Sequence, residues 1–188
     1  MKLRFWTIQK LDVVTALLQY KTYQPAFAYS DYVQEDPGLS ELYGLLLDSY
    51  NRANNTDHPG LVFTFLGNDD NDNIFDFRDY PTFRQFIIDH SFAIRSLWNH
   101  LASKNTVIMC VEKELDSNLL LIDINDFQCL MPPITISYPY TEDNIRYLIQ
   151  NFSAGNYIRS VAPSNLLQAH IPDIKAEEVI GLYPMFTL

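Results

Sequence analysis

The sequence has little cysteine, little glycine and no long apolar run, and each shortage excludes a class of protein. Its two cysteines, Cys110 and Cys129, form no Cys-x-x-Cys pair, which excludes a zinc ribbon and a disulfide-rich fold. The six glycines are isolated, so no glycine-rich phosphate loop is formed. The longest apolar stretches, 61–66 and 119–122, are too short to span a bilayer, and we expect no membrane partner.

Basic residues are also scarce. The chain has 13 lysines and arginines against 23 acids, a formal net charge of −10, and its bases are scattered. Because nucleic-acid affinity comes largely from clustered bases that neutralise phosphates, we expect no nucleic-acid partner. Gln9, Lys10 and Asp12 interrupt the first apolar stretch before it reaches the length of an export signal. Two free thiols fit the reducing cytoplasm, which is the location that we expect.

What the chain does have is enough apolar and aromatic residues for a packed core. Hydrophobic residues make up 47% of its 188 positions and aromatic residues 14%, well above the content of disordered chains. Segments typical of strands and of helices alternate without an internal repeat, and the late segments favour strands. We therefore predict one globular domain over residues 1–188, of α+β class, with a mixed or largely antiparallel sheet packed against several helices.

Several segments can be assigned individually. Large side chains alternate along residues 3–8, which predicts a central strand covered on both faces, with Trp6 packed against the apolar stripe of a long helix over 81–103. Asp36-Pro37 and Thr141 are typical of helix starts. Residues 123–131 predict a short helix that Pro132 ends. The segments 166–171 and 179–183 predict two late strands.

The acids and histidines give no metal-binding pattern. The loop Asn68–Asn73 lacks the glycine and the bidentate glutamate of a calcium loop. We therefore predict that residues 68–77 form an exposed, mobile loop without a specific metal, whose far end is anchored on the long helix by Ile74, Phe75 and Phe77. Weak cation binding there is the alternative. His90 lies within the apolar stripe, which favours a core histidine over a ligand or a general base. Exposed charge is the default interpretation of Glu112, Glu114, Asp123 and Asp126.

Three segments carry a resemblance to a family of uncharacterised bacterial proteins, whose activity is unknown. Phe5-Trp6-Thr7-Ile8-Gln9 resembles the family's opening Leu-Trp-Thr-Ile-Gln strand. Residues 119–127 are similar to a segment with an aspartate where Asp123 stands, although Phe127 and Gln128 replace the usual Trp-His. Residues 167–171 resemble the family's late Ile-Gln-Ala strand. Together the matches cover about a quarter of the chain.

A looser likeness is to ADP-ribosyltransferases, as a fold-level analogy. In those enzymes a residue of an early strand holds the nicotinamide dinucleotide, and a late acid orients the acceptor. This chain has Gln168 and His170 on its late strand but no glutamate in that place. The likeness therefore implies either a degenerate binding fold or a different chemistry.

Two hypotheses of function follow. The first is a non-enzymatic binding or regulatory protein, whose partner is another protein or a small ligand and which needs no cofactor. The second is a nucleotide-using enzyme with its site between the first strand and the late strand. In the second, a stacking ring, hydrogen-bonding groups and proton carriers would line one cleft: Trp6, Thr7, Gln9, Asp123, Gln168 and His170.

Overall fold

The computed structural model describes residues 2–34, 36–102, 105–114, 118–155 and 159–188. Nine strands occur in these segments: β1 Lys2–Lys10, β2 Thr22–Tyr23, β3 Val62–Asn68, β4 Ile74–Phe75, β5 Thr106–Glu114, β6 Leu120–Asp123, β7 Leu166–Ile171, β8 Ile174–Lys175 and β9 Val179–Pro184. Seven helices accompany them: α1 Leu11–Tyr20, α2 Asp31–Gln34, α3 Pro37–Asn54, α4 Tyr80–Asp89, α5 Ser91–Leu101, α6 Ile124–Leu130 and α7 Glu142–Ser153. None of these helices is long and apolar enough to cross a membrane.

A seven-stranded antiparallel sheet organises the fold. Its strands follow the order β6-β7-β3-β1-β5-β9, and the short β4 pairs with β3. The pair β2-β8 forms a separate two-stranded sheet. The described residues thus confirm the α+β class and the largely antiparallel sheet. They also confirm that the first strand is central, because β1 lies between β3 and β5.

Side chains on the two faces of the sheet enter two separate apolar clusters. Trp6 of β1 and Phe65 of β3 belong to the larger cluster, on the face that α3 to α7 cover. Phe5 of β1 belongs to the smaller cluster, together with Val13 and Leu17 of α1. We call these the helical face and the α1 face. The alternation predicted for the first strand is therefore confirmed, since successive strand residues point to opposite faces.

Helix starts follow the predicted chemistry. The Asp36 carboxylate accepts the Gly38 amide at 2.8 Å, with Pro37 in the first turn of α3. Thr141 begins α7 with a capping box that Asn144 completes. The predicted helix over 123–131 is present as α6, for which Asp123 is the N-cap. Each cap satisfies amides that the first helical turn leaves without a partner.

The prediction of one long helix over 81–103 is wrong, because the described part of that segment forms two helices. At His90 the backbone ψ is 16°, far from helical values, and α4 ends there before α5 begins at Ser91. The ring Nδ1 of His90 lies 2.8 Å from the Phe86 carbonyl, which also accepts the His90 backbone amide at 3.0 Å. His90 is half-buried and stacks on Phe86, so it is a packed histidine at a helix junction.

The two late strands exist but do not pair with each other. β7 lies between β3 and β6, whereas β9 pairs with β5 at the other side of the sheet. Residues 172–178 connect the two strands. Lys113 Nζ of β5 pairs with two acids of this connection, with Asp173 Oδ1 at 2.5 Å and with Glu178 Oε1 at 3.0 Å. The turn predicted at 116–118 lies largely outside the described residues.

Candidate functional site

Trp6 lies in the core of the helical face. Its indole stacks on Phe83 with the ring centroids 4.7 Å apart, and its Nε1 donates to the Phe77 carbonyl at 2.8 Å. The side chain is 1% exposed. The predicted contact between Trp6 and the apolar stripe is confirmed. In this structure the ring and its N–H therefore both have internal partners.

Thr7 and Gln9 lie on the opposite side of β1, toward the α1 face. The Thr7 hydroxyl donates to the Phe63 carbonyl at 2.6 Å, and the Gln9 amide donates to the Thr7 hydroxyl at 2.8 Å. Thr7 is buried, whereas Gln9 is partly exposed. Neighbouring strand residues point to opposite faces, so Trp6 and Thr7 cannot line one cleft from the same strand.

Gln168 and His170 share the helical face with Trp6. The pairing of Trp6 with Phe65, and of Phe65 with Gln168, separates Trp6 and Gln168 by two strand spacings, roughly 10 Å. His170 Nδ1 lies 3.0 Å from the Leu120 carbonyl, which requires the proton on Nδ1. Burial lowers the pKa of His170 to about 4, so the ring is neutral near pH 7.

These two side chains leave polar atoms without a protein partner. Within the described segments, neither Gln168 Oε1 nor His170 Nε2 has a hydrogen bond, although both residues are buried. The His170 ring packs edge-on against Phe63, with the centroids 4.8 Å apart. Buried polar atoms without a hydrogen bond lower the stability of the fold, and Ser49 Oγ and Asn68 Oδ1 are two further such atoms among the described residues.

Asp123 and Asp126 are buried, which corrects the interpretation of both as exposed charges. Asp123 accepts the amides of Asn125 and Ser164, each at 2.8 Å. Burial raises the pKa of Asp123 to about 6, against the lowering effect of these hydrogen bonds, and burial also raises the pKa of Asp126. The sequence does not show this burial, because residues 159–165, which hydrogen-bond to both acids, are distant from them along the chain.

The second carboxylate holds two segments of chain together. Asp126 Oδ1 accepts the Tyr140 hydroxyl at 2.5 Å and the Ser160 hydroxyl at 2.9 Å. Burial and the neighbouring Asp126 carboxylate both raise the pKa of the Tyr140 hydroxyl, which therefore stays protonated as a donor. In the described structure Asp123 and Asp126 hydrogen-bond to groups of the protein itself, and they join α6 to the chain segments that contain Tyr140, Ser160 and Ser164.

The six predicted site residues are thus distributed over the sheet. Trp6, Gln168 and His170 lie buried on the helical face, Thr7 and Gln9 point toward the α1 face, and Asp123 caps α6 at the end of an edge strand. The structure brings Gln168 and His170 together, and separately Thr7 and Gln9. A role for any of the six in binding a ligand stays a prediction.

The acidic loop after β3 is partly ordered by its own side chains. Asp69 accepts the amides of Asn71 and Asn73 at 2.8 and 2.9 Å, and the hydrogen bonds from Asn73 lower the pKa of Asp69. Phe77 is buried against Phe83 and Phe86, as predicted for the far end of the loop. The described residues contain no group of three potential metal ligands.

A different segment combines fixed ends with exposed apolar side chains. After α6, Pro132 packs against Gly38, where an added Cβ would lie 2.7 Å from the proline ring. At the other end Tyr140 is held by Asp126. Residues 133–139, which we call the 133–139 loop, are all exposed between these anchors. The fold therefore fixes the base of this loop while leaving its tip in solvent.

Three large apolar side chains occupy every second position of the 133–139 loop. Ile134 is 46% exposed, Ile136 47% and Tyr138 98%. The loop carries no charged side chain, although the chain as a whole has a net charge of −10. Exposed apolar side chains clustered in one short segment are typical of surfaces that bind a partner. Glu142 and Asp143 follow directly at the start of α7, and both are exposed.

The comparisons with known proteins found no relative. No family model, no curated protein and no solved structure matches this chain.

Sequence reasoning missed the 133–139 loop. A signal is present in the sequence, since the run from Met131 to Tyr140 has no charge and five of its ten residues are proline or tyrosine, in the patterns Pro-Pro and Tyr-Pro-Tyr. On their pattern alone, Pro132 and Pro133 predict only the end of a helix. The sequence does not show that Pro132 and Tyr140 are anchored. Pro132 contacts Gly38, which is distant along the chain, and Tyr140 donates to the Asp126 carboxylate, whose burial depends on the fold.

Proposed function

We propose that this chain is a non-enzymatic binding protein that docks on a partner protein through the 133–139 loop. The observation that carries the proposal is the exposure of Ile134, Ile136 and Tyr138 on a loop whose two ends are fixed. A loop with fixed ends loses less conformational entropy on binding than a free one, because part of the ordering has already occurred on folding.

The chemistry of the loop favours a partner protein with an apolar pocket. Tyrosine and isoleucine supply large apolar contacts, and aromatic residues are enriched among those that dominate interface energy. A membrane surface fits less well, because a net charge of −10 is repelled by anionic lipid headgroups. The exposed Glu142 beside the loop complements a partner whose pocket has a basic rim, whereas the neighbouring Asp143 pairs with Arg146 at 3.0 Å.

We place the protein in the cytoplasm, a location supported by the free thiols of Cys110 and Cys129. We also propose that the chain belongs to the uncharacterised bacterial family, which residues 5–9, 119–127 and 167–171 support.

Site-specific photo-crosslinking tests the docking surface directly. A benzophenone amino acid replaces Tyr138 in one variant and Tyr29 in another, since both side chains are largely exposed, at 98% and 88%. In the native host we expect a discrete crosslinked protein from position 138 and none of the same mass from position 29. The captured protein, once purified, should bind the unmodified chain. Identical products from both positions, or none from position 138, would contradict the proposal.

A further inference from the structure

The two edges of the main sheet differ in how they are protected. β6 ends one edge with four residues that are all buried and continues directly into α6. β9 ends the other edge with six residues, of which Ile180 and Leu182 are each 48% exposed. In the described structure β9 pairs with β5 alone. Among the described residues no strand pairs with the outer side of β9, although the Pro184 carbonyl at its end accepts the Tyr80 hydroxyl at 3.3 Å. An edge of this kind can pair with another strand.

Charge along this edge is also absent where edge strands usually carry it. The ten residues from Val179 to Leu188 have no charged side chain, whereas natural sheet edges commonly use lysine to prevent pairing. The inner side of β9 is well fixed. The Tyr183 ring stacks on Tyr80 with the centroids 4.4 Å apart, and it lies over Gly181, where a Cβ would be 2.6 Å from the ring.

From these observations we infer that β9 pairs with β9 of a second copy of the chain, antiparallel and around a two-fold axis. Such an isologous contact is the commonest arrangement of homodimers. An axis perpendicular to the sheet keeps the α1 faces of both copies on one side. Leu182 lies on that face, opposite Met109. Ile180 and Leu182 of each copy would then cover those of the other.

Charge selects the antiparallel direction. A parallel pair would place Glu177 and Glu178 beside the same residues of the second copy, a like-charge contact that destabilises strand pairing. In the antiparallel pair these acids lie opposite the uncharged end of β9. The remaining repulsion is between two net charges of −10, which salt screens because the Debye length is about 8 Å at physiological ionic strength. The association should therefore strengthen as salt is added.

The contact is short. A register shift between Cys110 and Val111 places a bulge in the pairing of β5 with β9, and Pro184 has no N–H to donate. The free edge is thus limited to about the length of one small strand, which buries less than the ~1,200 Å² of a standard interface. We therefore expect a weak dimer whose population depends on protein concentration. The dimer would carry two 133–139 loops, and it does not depend on the function proposed for them.

Sedimentation equilibrium of the full chain tests this inference. Samples from about 10 µM to about 1 mM, at low and at high salt, should shift from monomer to dimer, more strongly at high salt. Leu182→Lys places a charge on the edge and should weaken dimerisation at least tenfold, whereas Phe92→Lys, at a fully exposed position of α5, should dimerise like the wild type. Ile180→Lys serves as a second edge variant if Leu182→Lys does not fold.

Two results would overturn the inference. One is a wild-type chain that stays monomeric over the whole concentration range at both salt concentrations. The other is a folded Leu182→Lys or Ile180→Lys variant that dimerises as strongly as the wild type, because the contact would then lie on another surface.

Discussion

At the scale of single residues, the buried His170 makes an unusual demand on the core. Its ring has to stay neutral, because burial lowers its pKa to about 4 from the ordinary 6.5. The unfolded chain therefore binds a proton that the folded chain does not, over the range between these two values. The free-energy cost of keeping His170 neutral in the folded chain is therefore smallest above pH 6.5 and largest below pH 4.

This difference predicts a pH dependence of stability. As the pH falls from 7 to 4, the free energy of unfolding of the wild type should drop by about 3 kcal/mol relative to that of His170→Asn, which retains a donor for the Leu120 carbonyl. Asp123 has the opposite effect, since its raised pKa of about 6 adds stability on acidification. For that reason the comparison between the two proteins is the readout, from urea titrations at each pH. If the difference in free energy of unfolding between the two proteins stays constant from pH 7 to pH 4, burial does not lower the pKa of His170.

The same scale shows what the sequence could say about the site. Alternation along β1 was correctly predicted, and it already implies that Trp6 and Thr7 point to opposite faces. The distance between Trp6 and Gln168 could not be predicted from the sequence. It depends on which strand lies between them, and nothing local in either segment specifies that Phe65 of β3 fills that place.

At the scale of elements, the connection between β7 and β9 depends on one cation. Lys113 is only 11% exposed and contacts two carboxylates, those of Asp173 and Glu178. These acids raise the pKa of Lys113, although burial acts to lower it. The lysine thus fastens residues 172–178 to β5 on the α1 face.

Removing this charge should destabilise the fold. Lys113→Met leaves two partly buried carboxylates without their cation, and we expect a loss of about 2 kcal/mol in the free energy of unfolding. Lys2→Met is the matched control, since Lys2 also pairs with a strand glutamate but is 60% exposed. Chemical denaturation should show almost no change for Lys2→Met. Equal effects of the two substitutions would mean that the connection is not held by Lys113.

Element boundaries were predictable where local chemistry sets them. The caps at Asp36 and Thr141 were correctly assigned because an N-cap needs only a side-chain oxygen next to the first turn. The break at His90 was missed, since the apolar spacing of α4 continues smoothly into α5 and hides it. A helical stripe reports which face is buried, and two helices packed on the same core share that signal.

At the scale of the whole molecule, class and composition were accessible but strand order was not. The α+β class followed from the mixture of strand and helix patterns. The order β6-β7-β3-β1-β5-β9 joins strands that are distant in sequence, so the free edge at β9 could not be recognised before the fold was known. The exposure of the 133–139 loop is hidden for the same reason, because its anchors come from Gly38 and Asp126.

The most direct test of the account is the affinity of the protein captured at position 138 for a chain with an altered loop tip. Ile134, Ile136 and Tyr138 are replaced together by serine, and calorimetry measures binding of the captured protein. Because all three side chains are exposed, stability should change little, while affinity should fall at least about 100-fold. Replacement of exposed Tyr29 by serine should leave affinity unchanged. An unaltered affinity of the triple variant would contradict the account.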